Sequence, residues 1–178
     1  MRSAISARLA IPGDAGYSAP VLPPTAGDEE LGLVERVVFV RRLLTYGSAR
    51  VEALADLARD MAVVRAPAGT TLWEVGDPSP HSLLLHRGTV TGITVKGQQF
   101  RFGPDSVVGG IDAMASEPRW YRAVAGTDVV GLRSDVARLV DVLEDHPDMG
   151  LAMLRTAARV LSGLHDRVAH AVLEESRG

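Results

Sequence analysis

The 178-residue chain is 46% apolar and 23% charged, a composition typical of one globular domain with a sizeable core. Its formal net charge of −3 argues against non-specific nucleic-acid binding, and the absence of cysteine excludes disulfides, thiol catalysis and Cys-based metal sites. The sequence has neither an apolar run of the roughly 20 residues that cross a bilayer nor a secretory signal. We therefore expect a cytoplasmic protein with no membrane span.

The first 27 residues are rich in proline and glycine and have neither a helical nor an alternating apolar pattern. A segment of this kind buries too little apolar surface to fold by itself. Residues 1–27 are therefore predicted to be a flexible arm, or alternatively a docking peptide whose apolar side chains fit a partner's groove. Those side chains are Ile5, Leu9, Ile11 and Tyr17.

Residues 28–62 have the pattern of two helices. The first is predicted from the acidic turn that begins at Asp28 to the C-cap at about Tyr46. The second is predicted from Ser48 to Met61, because its apolar residues recur on one face and its charged residues on the other.

From Val63 to Leu132 the apolar residues form short β-type runs, which turn-forming glycine and proline interrupt at intervals of roughly 8 to 12 residues. This spacing predicts an antiparallel β-barrel or sandwich over residues 63–133. The predicted strands are 63–66, 70–75, 82–86, 89–95, 98–102 and 123–132.

The remaining residues, 134–178, are predicted to form two helices, a short one that ends before Pro147 and a longer one from Pro147 to about Glu175. Apolar side chains recur along the longer helix at alternating spacings of three and four residues, as in a coiled coil. This stripe either packs on the chain's own barrel or mediates self-association. Its members are Leu154, Ala157, Leu161, Leu164, Val168 and Ala171.

Five stretches resemble the cyclic-nucleotide-binding domain family, which occurs in catabolite-activator-type regulators, kinase regulatory subunits and gated channels. Residues 67–78 (PAGTTLWEVGDP) are similar to the family's turn and strand, and residues 82–90 (SLLLHRGTV) to its strand–turn–strand. Residues 102–109 (FGPDSVVG) resemble the family's stretch that leads into its phosphate-binding cassette, and residues 117–119 (EPR) resemble the end of that cassette. Residues 127–132 (TDVVGL) are similar to the stretch that follows it. The resemblance covers about residues 38–170. It implies an α+β fold, an antiparallel jelly roll of the double-stranded β-helix type with N-terminal helices and a long C-terminal helix.

The family's cassette, here residues 108–124, holds a cyclic phosphate with backbone N–H groups and an arginine, and the ribose with a glutamate. Arg119 stands at the arginine position, but Gly110 stands at the glutamate position. Trp120 replaces a small residue, and its large indole would fill the place of the ligand. The carboxylate of Asp112 would repel an anion. The cassette is therefore interpreted as degenerate. The candidate ligand-binding residues are Gly109, Gly110, Ile111, Asp112, Arg119, Trp120 and Arg122.

These departures predict a non-enzymatic regulatory or scaffold domain that acts through protein–protein contacts and does not bind cyclic nucleotides in the usual way. Its long C-terminal helix would pair with a second copy or with another protein, and no cofactor is expected. Arg119 would then be a surface residue or pair with Asp112 or Glu117. The alternative is a small-ligand sensor, in which Arg119 binds cyclic AMP, cyclic GMP or another anion.

Two further classes of function have less support. Regulators of this family read DNA with a helix-turn-helix after the long helix, and none is present before Gly178, so no nucleic-acid partner is expected. A metal-dependent, cupin-like enzyme needs two or three histidines on one strand face. His81 is placed in a proline-flanked turn and His86 at a strand end, so no metal site is expected.

Overall fold

The computed structural model describes residues 31–43 and 49–175, with the side chains of the last helix described up to residue 162. The predicted arm, residues 1–27, lies outside the described residues, as do both predicted ends of the first helix. The helices are α1 (Leu33–Arg42), α2 (Val51–Arg59), α3 (Gly110–Ala115), α4 (Val136–Asp145) and α5 (Pro147–Glu175).

The strands are β1 (Ala62–Ala66), β2 (Thr71–Trp73), β3 (His81–Arg87), β4 (Val90–Thr94), β5 (Gln99–Phe102), β6 (Ser106–Val108), β7 (Tyr121–Ala125) and β8 (Val129–Asp135). They form two four-stranded sheets, one in the order β1-β8-β3-β6 and the other in the order β2-β7-β4-β5. Every strand pairing is antiparallel. This architecture confirms the predicted α+β fold and its jelly-roll arrangement.

Two apolar clusters stabilise the fold, and β3 contributes to both. Leu84 packs with the helices, in a cluster that includes Phe39 of α1 and Met149 of α5. Leu85 points to the opposite face of the same strand and packs between the two sheets with Val90. Because successive strand residues face opposite sides, burial on both faces requires the continuous apolar run that this strand has.

The structure differs from the predicted elements at three places. The single strand predicted over 123–132 is two strands, β7 and β8, which belong to different sheets. Neither β6 nor α3 was predicted from periodicity, because three and six residues are too few to establish a period. The placement of His81 in a turn is wrong, since this residue begins β3 and pairs with Asp135 of β8.

Three side-chain pairs join α2 and its flanking residues to the C-terminal helices. The carboxylate of Asp56 lies 2.9 Å from Nε2 of His146, and hydrogen bonds from His146 and Arg59 lower the pKa of this carboxyl group. Such exposed pairs each contribute little to stability, but together they fix the position of α2 against α4 and the start of α5. The pairs are Arg50–Asp148, Asp56–His146 and Asp60–Arg138.

Candidate functional site

The predicted cassette begins where β6 ends. Gly109 follows this strand in the left-handed conformation, with φ of 68°, and opens the short helix α3. A Cβ at this position would collide with Nη1 of Arg119 and lie 3.0 Å from the indole of Trp73. Both the backbone angle and the lack of space therefore require glycine here.

The guanidinium of Arg119 is directed into the protein, and only 1% of this residue is exposed. Its Nη1 donates to the carbonyl of Gly109 at 2.8 Å and to Oδ2 of Asp112 at 3.3 Å. Its Nη2 donates to the carbonyl of His81, at the start of β3. Both terminal nitrogens of the arginine are thus engaged by the chain itself.

A tryptophan covers the same guanidinium. The Cζ atom of Arg119 lies 4.1 Å from the ring centroid of Trp73, which is a close cation–π contact. Burial lowers the pKa of Arg119, and the hydrogen bond that Arg119 donates to Asp112 opposes this effect. Since an arginine remains charged even when its pKa falls by a few units, Asp112 compensates a buried positive charge.

Aromatic rings occupy the adjoining space between the two sheets. The hydroxyl of Tyr121 accepts a hydrogen bond from the backbone N–H of Gly109 at 2.8 Å, and burial raises the pKa of this phenol. The ring of Tyr121 contacts Phe100 and Phe102 of β5, at centroid distances of 5.0 and 5.9 Å. The buried ring of Tyr121 thus packs beside the cassette against two partly buried phenylalanines.

Trp120 lies at the surface rather than in the place of a ligand. Its indole is 51% exposed and stacks on Phe100 at a centroid distance of 5.2 Å and an interplanar angle of 13°. The indole that covers Arg119 belongs to Trp73, which sequence reasoning did not single out. A tryptophan that ends a short strand carries no signal of such a role, because the contact forms only when the two sheets pack.

The other candidate residues do not converge on one point. Ile111 is 81% exposed on the outer face of α3. Arg122 is exposed on β7, where its Nε lies 3.3 Å from Oε1 of Glu74. A Cβ on Gly110 would lie 2.8 Å from Cγ1 of Val107, so the backbone passes close to β6 at this point. The arrangement brings together Gly109, Asp112 and Arg119, and leaves Ile111, Trp120 and Arg122 on the surface.

No group of three His, Asp or Glu side chains that could hold a metal ion occurs in the described part of the chain. His81 and His86 both lie on β3. Their Nδ1 atoms are buried, and neither has a hydrogen-bond partner within residues 31–43 and 49–175. The ring of His86 contacts that of Phe39 in α1, at a centroid distance of 4.8 Å.

The apolar stripe of α5 begins outside the core. Leu154 and Leu161 are each 65% exposed, and Ala157 between them is also exposed. The helix faces the core with other residues, Met149 among them. The side chains of the remaining predicted members, Leu164, Val168 and Ala171, lie outside the described residues. No helix in the described part of the chain combines the length and the hydropathy that a bilayer span needs.

We expect acid to destabilise the domain through His81. Burial, together with the positive charges of Arg133 and Arg119, lowers the pKa of His81 from 6.5 to about 4. Between these two values the unfolded chain binds a proton that the folded chain does not, so the free energy of unfolding decreases as the pH falls. The loss across this window is at most about 3 kcal/mol. Urea unfolding at several pH values between about 7 and 4.5 measures it.

The variant His81→Gln should unfold with a flatter pH dependence than the parent protein, because it has no imidazole at this position. His146→Gln is the control, since His146 is partly exposed and lies outside the cassette. A His81→Gln protein whose stability changes with pH as steeply as that of the parent protein would contradict this account.

No protein-family model and no curated protein matches the sequence, whereas many solved structures match the fold. The N-terminal domain of a transcriptional regulator from Streptomyces coelicolor A3(2) is 26% identical, with a TM-score of 0.63, over 72% of this chain and 95% of that one. A cyclic nucleotide-binding domain from Methylobacillus flagellatus KT is 22% identical, with a TM-score of 0.63, over 80% and 83%. The sensor domain of the transcriptional regulator DNR from Pseudomonas aeruginosa is 17% identical, with a TM-score of 0.64, over 79% and 95%.

Proposed function

The chain has the fold of the cyclic-nucleotide-binding domains, and we propose that it is a non-enzymatic regulatory domain whose cassette is closed by its own arginine. In this proposal the domain acts through protein–protein contacts and does not bind a cyclic nucleotide in the usual way. The observation that carries the proposal is the inward direction of Arg119 and its ion pair with Asp112.

A cyclic phosphate would have to replace contacts that Arg119 already makes. The side chains of Arg119 and Asp112 are 1% and 2% exposed, so separating them would leave a buried carboxylate without its partner. The phosphate would also lie close to that carboxylate and be repelled by it. Both effects oppose binding of an anion in the cassette.

Two neighbouring features support the same proposal. Gly110 offers no carboxylate to a ribose hydroxyl. The rings of Phe100, Phe102 and Tyr121 contact one another between the sheets, where an additional planar group would need space. The domain's own residues thus pair with the arginine, and its own aromatic rings pack beside the cassette.

The surface that we propose for protein contacts is the exposed face of α5. Leu154 and Leu161 present apolar side chains seven residues apart, a spacing that aligns them on one helix face. A parallel pairing of two such helices would bury both leucines and their copies. We therefore propose a homodimer through α5, or a complex with a partner that offers a similar helix.

The alternative function is a sensor that binds a small anion through Arg119. One observation favours it: the Nε atom of Arg119 is buried and has no hydrogen-bond partner among the described residues. A ligand oxygen would satisfy this donor. Binding would then require Asp112 to move away, which links ligand entry to a rearrangement of α3.

Calorimetric titration of the full chain with cyclic AMP and cyclic GMP separates the two functions. The closed cassette predicts no saturable heat up to roughly millimolar nucleotide, a concentration at which even weak specific sites bind. Saturable binding in the parent protein would overturn the proposal. The sensor would be established if Arg119→Gln lost at least about tenfold in affinity while the exposed control Arg101→Gln kept it.

A further inference from the structure

A groove of about 480 Å³ lies between α1 and the first sheet. One wall is α1, with Val34 and Val38. The floor and the opposite wall come from β1, β3 and β8, with Arg65, His86 and Val130.

Three arginines and one glutamate, Glu35, are among the side chains that line this groove. Arg65 and Arg87 flank Val130 as direct strand partners, and Arg42 closes the end of α1. Arg42 pairs with Asp105 at 3.1 Å, whereas Arg87 is exposed and has no ion pair with any residue that the structure describes. The pKa of His86 is lowered by burial and then by the positive charges of Arg87 and Arg42, with weaker opposing effects of Asp105 and Glu35.

The side of α1 that lines the groove has two exposed valines beside Glu35 and Arg42. Val34 is 76% exposed and Val38 is 56% exposed, and they lie one turn apart on the same face. Apolar side chains beside a basic floor match a segment that combines acidic and apolar residues. The chain contains such a segment immediately before Leu31, a residue that itself lines the groove.

We propose that the groove is the docking site of the chain's own residues 17–30. In this arrangement the acidic end of the segment, Asp28-Glu29-Glu30, lies on the groove arginines. The apolar residues before it cover the exposed valines of α1. These residues are Tyr17, Val21 and Leu22.

Chain connectivity favours this occupant over a separate acidic peptide. Three extended residues span at most about 10 Å, so the three carboxylates cannot leave the neighbourhood of Leu31 and the groove. A tethered segment binds its site at a high effective concentration, which a separate peptide must match by affinity. The segment therefore needs only weak contacts to dock.

The absence of cysteine from the chain allows a direct test by disulfide trapping in the full-length protein. The variant Leu22→Cys/Val34→Cys should form an intrachain disulfide under mild oxidation, at monomer mass. In the control variant Leu22→Cys/Val95→Cys, Val95 is 78% exposed, close to the 76% of Val34. We expect the control to cross-link at least about fivefold more slowly, because a docked segment is held near Val34 and not near Val95.

Reversal of one groove charge distinguishes docking from mere closeness along the chain. Adding Arg87→Glu to the Leu22→Cys/Val34→Cys protein should slow trapping about fivefold, and a further Glu29→Lys should restore it. Arg101→Glu, an exposed change on the other sheet, should leave the rate unchanged. A trapping rate that Arg87→Glu leaves unchanged would overturn the proposal. A disulfide found only between two chains would also overturn it.

Discussion

Replacing Asp112 by asparagine is expected to lower the free energy of unfolding by about 3–5 kcal/mol, the largest change that we predict for a single substitution. The new side chain keeps its size but no longer compensates the buried guanidinium 3.3 Å away. The cost arises because Arg119 stays charged and cannot reach water. Urea unfolding of the variant and the parent protein, with equal denaturant slopes, measures the difference.

Asp105→Asn is the matched control for this prediction. It removes the same charge from the pair with Arg42, whose side chains are 52% and 46% exposed. Asparagine also tolerates the positive φ of 62° at this position. The control should cost less than about 1 kcal/mol. If Asp112→Asn destabilised the protein no more than Asp105→Asn, the buried pair would not hold the cassette closed.

Replacing Leu154 and Leu161 together by lysine is expected to convert the proposed homodimer to monomers without unfolding the domain. Each leucine that a dimer buries contributes roughly 1.5–3 kcal/mol, and the variant removes four of them per dimer. The dissociation constant should rise by a factor on the order of 10³ or more. Light scattering after size-exclusion chromatography gives the mass of both proteins.

The folded domain should tolerate these lysines, since both leucines are mostly exposed in the single chain. The variant Arg155→Glu/Arg159→Glu changes two exposed residues on the same helix, away from the apolar stripe, and should leave the mass unchanged. A parent protein that is monomeric at roughly 100 μM, a concentration at which specific homodimers form, would contradict the proposed dimer.

The long helix and the sheet class could be predicted because their patterns extend over many residues. Helix α5 runs from Pro147 to Glu175, the bounds that the sequence predicts. The prediction of a single strand over 123–132 was wrong. Both halves of this stretch are apolar, so the pattern does not indicate the break at residues 126–128. Whether the second half of this stretch pairs in the same sheet or in the other one is decided by packing and not by local periodicity.

The site was predictable in its location but not in its geometry. The resemblance to the family placed Arg119 in the cassette and left open whether it binds an anion or pairs with Asp112 or Glu117. The direction of a side chain depends on contacts between distant segments, here the carbonyl of His81 and the ring of Trp73. Neither contact can be inferred from the sequence, because both partners lie far from Arg119 along the chain.

Three side-chain pairs link α2 and its flanking residues to α4 and the start of α5. Helix α2 also packs with α1, in an apolar cluster that includes residues of α4 and α5. A partner that rotates α5 would therefore displace α1 and change the width of the groove beside it. Thermodynamic linkage makes this effect reciprocal: occupancy of the groove would change the affinity at α5 by the same factor.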